Sequence, residues 1–283
     1  MFIFFQLAIV SLANAQPTVS ASIKPLQLIA AAITSGDIGE RTHIAPGLII
    51  GSAQDPHHPF LRPSERGTLD EADILLWVGS QLETGLADLI EPASSVVINA
   101  YELTQERGLS VEGDVDPHIW LSTRNARVIA ETLTQELMIL DVENRQFYSS
   151  NLATFLSSLD LLDAQINTSL EGLKQIPFGV YHNAFSYYEK QYGLTHVANY
   201  TEGEELQPGI RKVLEVRESL EVNDVSCLLL EPSNNPEEIA QLMSKDMKLV
   251  SIDILGFNYA TNSTGYRDFM TDITESIKKC LKP

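Results

Sequence analysis

The chain has 283 residues, of which 44% are hydrophobic, and carries a formal net charge of −19 at pH 7. This length fits one large domain or two of ordinary size with a substantial core. Contact with phosphate groups needs a basic face, so the acidic balance argues against a nucleic-acid-binding protein. The surplus of Asp and Glu is typical of a solvated surface and attracts cations only weakly.

The first fifteen residues have the pattern of an export signal. Residues 1–12 are apolar without a charged side chain, and Ala13-Asn14-Ala15 supplies the small residues that a signal peptidase recognises. A buried core segment and a membrane anchor are the alternatives, but the run is too short to span a bilayer comfortably. We therefore predict cleavage after Ala15. The absence of a nearby Cys for lipid attachment predicts an unanchored, periplasmic protein.

Short apolar runs alternate with helical periodicity along the chain. A helix is predicted over 26–33, after the turn at Lys24-Pro25. The apolar runs predict strands at 18–23, 72–79 and 96–99 in the first half and at 178–181, 225–230 and 249–252 in the second. This alternation predicts right-handed βαβ units and parallel sheets.

A long region without strand-like runs separates the two halves. Helical spacing continues over 126–140 and 143–173, and the second of these stretches would be about 45 Å long, enough to run the length of two lobes. The prediction is an α/β fold of two Rossmann-like lobes joined by a single long rigid helix. Its parts are a signal peptide over 1–15, an N-terminal lobe over 16–141, a linking helix over 142–173 and a C-terminal lobe over 174–283.

Cys227 and Cys280 are the two cysteines of the chain. In an exported protein an even pair indicates a disulfide. This bond would tie the C-terminal helix to the sheet, because Cys227 opens an apolar run and Cys280 follows a helical pattern. Zinc ligation by the two thiols is the alternative, although they lack the close spacing of zinc ribbons.

Three of the six histidines head segments that suit a metal ligand. His57 lies in a proline-rich loop, His118 follows Asp-Pro, and His182 follows the predicted strand ending at residue 181. Asp253 directly follows another predicted strand. In open α/β sheets, ligands bind beyond the carboxyl ends of the strands. Three neutral imidazoles and one carboxylate make a tetrahedral set that suits Zn²⁺. Each histidine alone also fits a structural residue, and Asp253 also fits a helix N-cap.

The other candidates have alternatives of their own. Water, Glu202 or Glu204 would compete with Asp253 for the fourth position. His58 is expected at the surface or behind the ligands, and His43 and His196 are expected to be hydrogen-bonded structural residues. Trp120 is expected in the core or in the wall of the cleft.

Eight motifs occur in the order of a known family. They are Ser22-Ile23-Lys24-Pro25, Pro56-His57 followed by Leu61-Arg62-Pro63-Ser64, Ala72-Asp73 leading to Trp77-Val78-Gly79, His118-Ile119-Trp120-Leu121, His182-Asn183-Ala184-Phe185-Ser186-Tyr187 with Glu189-Lys190, Leu206-Gln207-Pro208-Gly209, Glu231-Pro232 and Asp253-Ile254-Leu255-Gly256. Over essentially the whole mature chain, the sequence resembles the metal-specific solute-binding proteins of ABC importers, the ZnuA and TroA-like family.

The resemblance implies a function and a site. It implies a metal between two lobes, with His57, His118 and His182 as ligands and Asp253 as a fourth, and a disulfide between the two cysteines. It also implies a monomer, not an enzyme, that captures Zn²⁺ and delivers it to a membrane permease. Manganese-type relatives carry a carboxylate where His182 stands, so His182 favours zinc.

Other functions are left as alternatives. A manganese or broad divalent-metal protein of the same family is the first. A zinc hydrolase, with water in the fourth position, and a metal-stabilised adhesin are the others. The segment 102–116 departs from many ZnuA-like proteins because it is short, acidic and free of histidine. It is expected to be an ordinary solvated loop, with a weak cation-collecting site as the alternative.

Overall fold

The computed structural model describes residues 16–36, 44–52, 54–90, 95–113, 115–201, 209–237, 239 and 247–282. The expected signal peptide lies outside these residues, and so do His43, Glu202 and Glu204. None of the helices in the described ranges is both long enough and apolar enough to cross a membrane.

The first half of the chain builds a parallel sheet of four strands in the order β2-β1-β3-β4. The strands are β1 Val19–Ala21, β2 Gly47–Leu48, β3 Ile74–Trp77 and β4 Val96–Asn99. The helices are α1 Lys24–Thr34, α2 Pro63–Asp70, α3 Ala87–Ile90, α4 Ala100–Glu106 and α5 Thr123–Leu140. All four residues of β3 are buried, as expected for a parallel strand covered on both faces.

The second half repeats this architecture with the order β6-β5-β7-β8. The strands are β5 Gly179–His182, β6 Ala198–Thr201, β7 Cys227–Leu230 and β8 Lys248–Ser251. The helices that accompany them are α7 Ser186–Tyr192, α8 Ile210–Val222 and α9 Gly265–Leu281. The predicted two-lobed α/β class is therefore confirmed. One local expectation is corrected, because His182 is the last residue of β5 rather than the residue after the strand.

Helix α6, Arg145–Ser169, lies in the sequence between the strands of the two sheets. It is shorter than the predicted helical stretch 143–173. Its 25 residues give a length of about 38 Å. A 3₁₀ turn over Val142–Asn144 precedes it, because the Asp141 carboxylate accepts hydrogen bonds from the Asn144 amide. Beyond Ser169 the chain turns at Gly172, whose φ of +77° lies in the left-handed region. The helix packs against α1, α5 and α9, so it contacts both halves of the molecule.

The predicted disulfide is present. Cys227 in β7 is bonded to Cys280 in α9 with a Cα–Cα distance of 5.5 Å. Both residues are only 2% exposed. The bond fixes the last helix to a central strand of the second sheet.

Candidate metal centre

Three histidines from distant parts of the chain converge between the two lobes. One ring nitrogen of His57, of His118 and of His182 lies within 4.8 Å of the corresponding atoms of the other two. The ring centroid of His57 lies 5.7 Å from that of His118 and 5.7 Å from that of His182. The centroids of His118 and His182 are 4.7 Å apart. His118 and His182 are buried, whereas His57 is half-buried. The side chains therefore form one cluster with an edge towards the cleft.

His57 is held by a loop that is tied to the first sheet. Its backbone N–H donates to Asp55 Oδ1 at 2.9 Å, and its carbonyl accepts from the Thr84 hydroxyl at 3.2 Å. Glu83, the residue before Thr84, is fully buried. Its carboxylate accepts a hydrogen bond from the backbone N–H of Gly79, which lies just past β3. The position of His57 thus depends on the strand end beneath it.

The imidazole of His118 is oriented by a carboxylate two residues earlier. Asp116 Oδ1 accepts from the His118 backbone N–H at 2.9 Å and from Nδ1 at 2.7 Å. Burial alone would raise the pKa of Asp116, but the adjacent His118 and its hydrogen bonds hold this pKa below the ordinary value. A carboxylate that accepts from Nδ1 leaves Nε2 as the nitrogen available to a metal ion.

The expectation of a solvated loop over 102–116 is therefore wrong in part. Residues 102–106 belong to helix α4, and Asp116 is only 8% exposed. The local hydrogen bonds to His118 explain why this acidic residue turns inward.

His182 has an equivalent arrangement built from the second sheet. Its Nδ1 is 2.5 Å from Glu231 Oε1, and the carboxylate is 8% exposed. Glu231 directly follows β7, which pairs with β5. Sequence reasoning included Glu231 in a motif but gave it no role. The signal that identifies it is a carboxylate directly after a strand that neighbours the strand of His182.

Asp253 is not part of the three-histidine group. Its Oδ1 accepts from the backbone N–H groups of Leu255 at 3.0 Å and Gly256 at 2.8 Å. The residue lines an adjoining cavity of ≈ 450 Å³. Oδ1 therefore stabilises its own turn. The helix N-cap alternative is wrong, because the next described helix begins only at Gly265.

The other two histidines among the described residues lie outside the cluster. His58 is exposed. His196 Nδ1 lies 2.8 Å from Glu189 Oε1, so the predicted structural, hydrogen-bonded role of His196 is confirmed.

A small cavity of ≈ 10 Å³ lies at the histidine cluster. This volume accommodates about one water-sized particle. The residues around it come from both lobes and are Pro56, His57, His118, Trp120, His182, Ile254 and Leu255. Trp120 is thus a wall residue, as expected, and its ring centroid lies 5.2 Å from that of His118.

A comparison of sequences decides the family. The sequence model of ZnuA, described as zinc-uptake complex component A, periplasmic, matches residues 19–280. The chain belongs to the ZnuA family. This family is a transport component and not an enzyme, which leaves the zinc-hydrolase alternative without support.

Relatives of this ZnuA-family chain match it over nearly their full length. The high-affinity zinc uptake system protein ZnuA of Haemophilus ducreyi is 27% identical over 305 aligned positions, covering 97% of this chain and 96% of the relative. A crystal structure of ZnuA has a TM-score of 0.79 at 21% identity, covering 95% of this chain and all of the other. The structure of a manganese-bound mutant of a periplasmic metal-binding protein from Candidatus Liberibacter asiaticus has a TM-score of 0.76 at 16% identity. The match covers 94% of this chain and 100% of the other. The two solved structures support the fold.

The surroundings of His57 favour its neutral imidazole. Burial, followed by the proximity of His118 and His182, lowers the pKa of His57 from 6.5 to about 3. His57 in this ZnuA-family chain therefore remains an uncharged nitrogen donor at neutral pH, before any ion binds. Such a site needs no proton release from this residue.

The low pKa of His57 predicts an acid-labile metal-free protein. In the unfolded chain a histidine titrates near pH 6.5, whereas folded His57 titrates near 3. Between these values the unfolded state binds more protons, so acidification lowers the free energy of unfolding. The expected loss from His57 is about 2 kcal/mol between pH 7 and pH 5. Urea unfolding of metal-free wild type and His57→Asn at both pH values checks this. Equal pH dependence in the two proteins would contradict it.

Proposed function

We propose that this chain is an exported, high-affinity zinc-binding protein that captures Zn²⁺ in the cleft and delivers it to the permease of an ABC importer. The observation that carries the proposal is the convergence of three imidazoles, two of them oriented through Nδ1 by buried carboxylates. The names of the curated relatives, high-affinity zinc uptake proteins, support the choice of cargo.

We propose the following processing and division of the chain. Signal peptidase removes residues 1–15, and the mature monomer acts in the periplasm. An N-terminal lobe over 16–141 supplies His57 and His118. A C-terminal lobe over 174–283 supplies His182 and Asp253, and the segment 142–173 links the two lobes. In this arrangement the ion bridges both lobes.

The proposed ligands are His57, His118 and His182, with Asp253 as the fourth. Zinc takes four ligands tetrahedrally, with Zn–N distances of about 2.0–2.1 Å. Tetrahedral coordination at this bond length places the nitrogens about 3.4 Å apart. The three nitrogens lie within 4.8 Å of one another, so they need to draw together when an ion binds. Since Oδ1 of Asp253 is engaged by two backbone N–H groups, Oδ2 is the atom proposed to bind.

Manganese is the second candidate cargo, because a solved protein with the same fold binds it. Mn²⁺ prefers oxygen-rich ligand sets, whereas this cluster presents three nitrogens. Affinity for zinc is therefore expected to exceed that for manganese.

Titration calorimetry of chelator-stripped protein with Zn²⁺ and with Mn²⁺ tests the cargo. The expected result is one tight zinc site per chain and weaker manganese binding. Absence of a tight zinc site, or tighter binding of manganese, would refute the assignment. Anomalous diffraction on both sides of the zinc edge, from crystals of the complex, identifies the ion and shows whether Asp253 is bound.

Delivery to a permease needs a test in cells. A strain lacking the gene for this chain is expected to grow poorly in zinc-depleted medium and to recover with the wild-type gene. The double variant His118→Ala with His182→Ala should not restore growth. Restoration by that variant would show that transport does not depend on this site.

The carboxylate behind His182 is expected to affect zinc affinity. The charged Glu231 carboxylate orients the His182 imidazole and makes that imidazole more basic. Glu231→Gln removes this charge, so zinc binding should weaken by about 10- to 100-fold. Competition with a chromophoric chelator measures the change. Glu189→Gln is a matched control, because Glu189 holds His196 in the same way outside the cluster. Equal effects of the two substitutions would contradict a role at the site.

A further inference from the structure

Trp120 connects the two lobes through its indole. The Nε1–H group donates to the carbonyl oxygen of Ile254 at 2.7 Å, across 134 positions of sequence. Trp120 is fully buried and Ile254 is 3% exposed. A hydrogen bond in such surroundings is shielded from competing water.

The backbone of Trp120 is also attached to the second lobe. The Tyr266 hydroxyl, on α9, donates to the Trp120 carbonyl at 2.8 Å. At the same time the indole ring lies edge-on to His118, with the centroids 5.2 Å apart. One residue therefore contacts a histidine of the cluster and two elements of the opposite lobe.

The acceptor of the indole lies in the wall of the cluster. Ile254 and Leu255 line the small cavity at the three histidines. The same two residues line the larger cavity of ≈ 450 Å³ that adjoins it. They consequently form part of the wall between the histidines and the larger cavity. An apolar wall at this point also limits access of water to an ion.

We propose that Trp120 is a positioning residue that holds residues 253–255 against the three-histidine cavity and thereby slows departure of the metal ion. The inference rests on the proposed zinc-binding function. Loss of the indole donor leaves the buried Ile254 carbonyl without this bond, which favours conformations in which the wall has moved away. Trp120→Phe keeps an aromatic ring next to His118 but has no donor.

Stopped-flow measurement of zinc release into excess chelator tests the proposal. Trp120→Phe should release zinc about three- to tenfold faster than wild type, the range expected for one buried hydrogen bond, with an unchanged association rate. Trp77→Phe is the matched control. The Trp77 indole nitrogen is buried without a hydrogen-bond partner among the described residues, so this variant should match wild type.

Hydrogen exchange distinguishes positioning from a general loss of stability. In zinc-loaded Trp120→Phe, the amides of Leu255 and Gly256, which bind Asp253 Oδ1, should exchange faster, while those of β1 and β3 stay unchanged. If Trp120→Phe does not fold, benzothienylalanine, which replaces the indole N–H by sulfur, is incorporated in the Trp77→Phe background.

The outcomes separate two failures. Wild-type protein without a tight zinc site would overturn the proposed function itself. A wild type that binds zinc, together with a donor-free variant that releases it at the wild-type rate, would overturn only the role of Trp120. Faster exchange throughout the protein would also overturn it.

Discussion

Replacing His182 with alanine is expected to weaken zinc binding by on the order of a thousandfold. Four-ligand protein sites bind Zn²⁺ with apparent free energies of about 10–16 kcal/mol, so one ligand carries roughly 3–4 kcal/mol. The change also removes one interaction of the buried Glu231 carboxylate. Loss of this pairing lowers the stability of the fold rather than the affinity for zinc.

The measurement is chelator competition at pH 7, with His196→Ala as the control. His196 is also hydrogen-bonded to a carboxylate in the second lobe, but it lies outside the cluster. Its replacement should leave the affinity for zinc within about threefold of wild type, a change of well under 1 kcal/mol. Retention of wild-type affinity by His182→Ala would exclude this histidine as a ligand.

Removal of the disulfide is expected to cost about 4 kcal/mol of folding free energy. The bond spans 53 positions of sequence, and the chain-entropy relation for a loop of that length gives this value at 25 °C. The double variant Cys227→Ala with Cys280→Ala therefore has a much lower midpoint of urea unfolding. Loss of packing by the two buried sulfur atoms acts in the same direction.

A control for the disulfide uses the wild type itself. When it is unfolded in the presence of a strong thiol reductant, its stability should approach that of the double variant. Zinc affinity of the folded variant should change little, because neither cysteine lines the cavity at the histidines. Equal stability of oxidised wild type and variant would contradict the prediction.

Continuous apolar runs allowed most strands to be predicted, and their absence explains the two that were missed. The run 96–99 coincides with β4. Strand β2 has only two residues, and β6 reads Ala-Asn-Tyr-Thr, in which polar residues interrupt the apolar pattern. Both lie at the edge of their sheet and pair with a neighbouring strand on one side only.

The site was predictable to the extent that its residues follow local motifs. His57, His118 and His182 were identified in this way, and the structure brings them together. Glu231 was not recognised as a partner of His182, because their contact depends on β7 lying beside β5 although β6 intervenes in the chain. Asp116 was visible two residues before His118, but acidity alone does not distinguish a buried acceptor from a solvated residue.

The position of α9 has a consequence for movement between the two lobes. Helix α9 packs against α1, whose residues are all buried, and Gly265 of α9 approaches Leu28 so closely that an added Cβ would lie 2.8 Å from it. The first lobe therefore buries its own helix α1 only with the help of a helix of the second lobe. A wide separation of the lobes would expose apolar surface of α1 to water, which favours small local rearrangements over a large hinge motion.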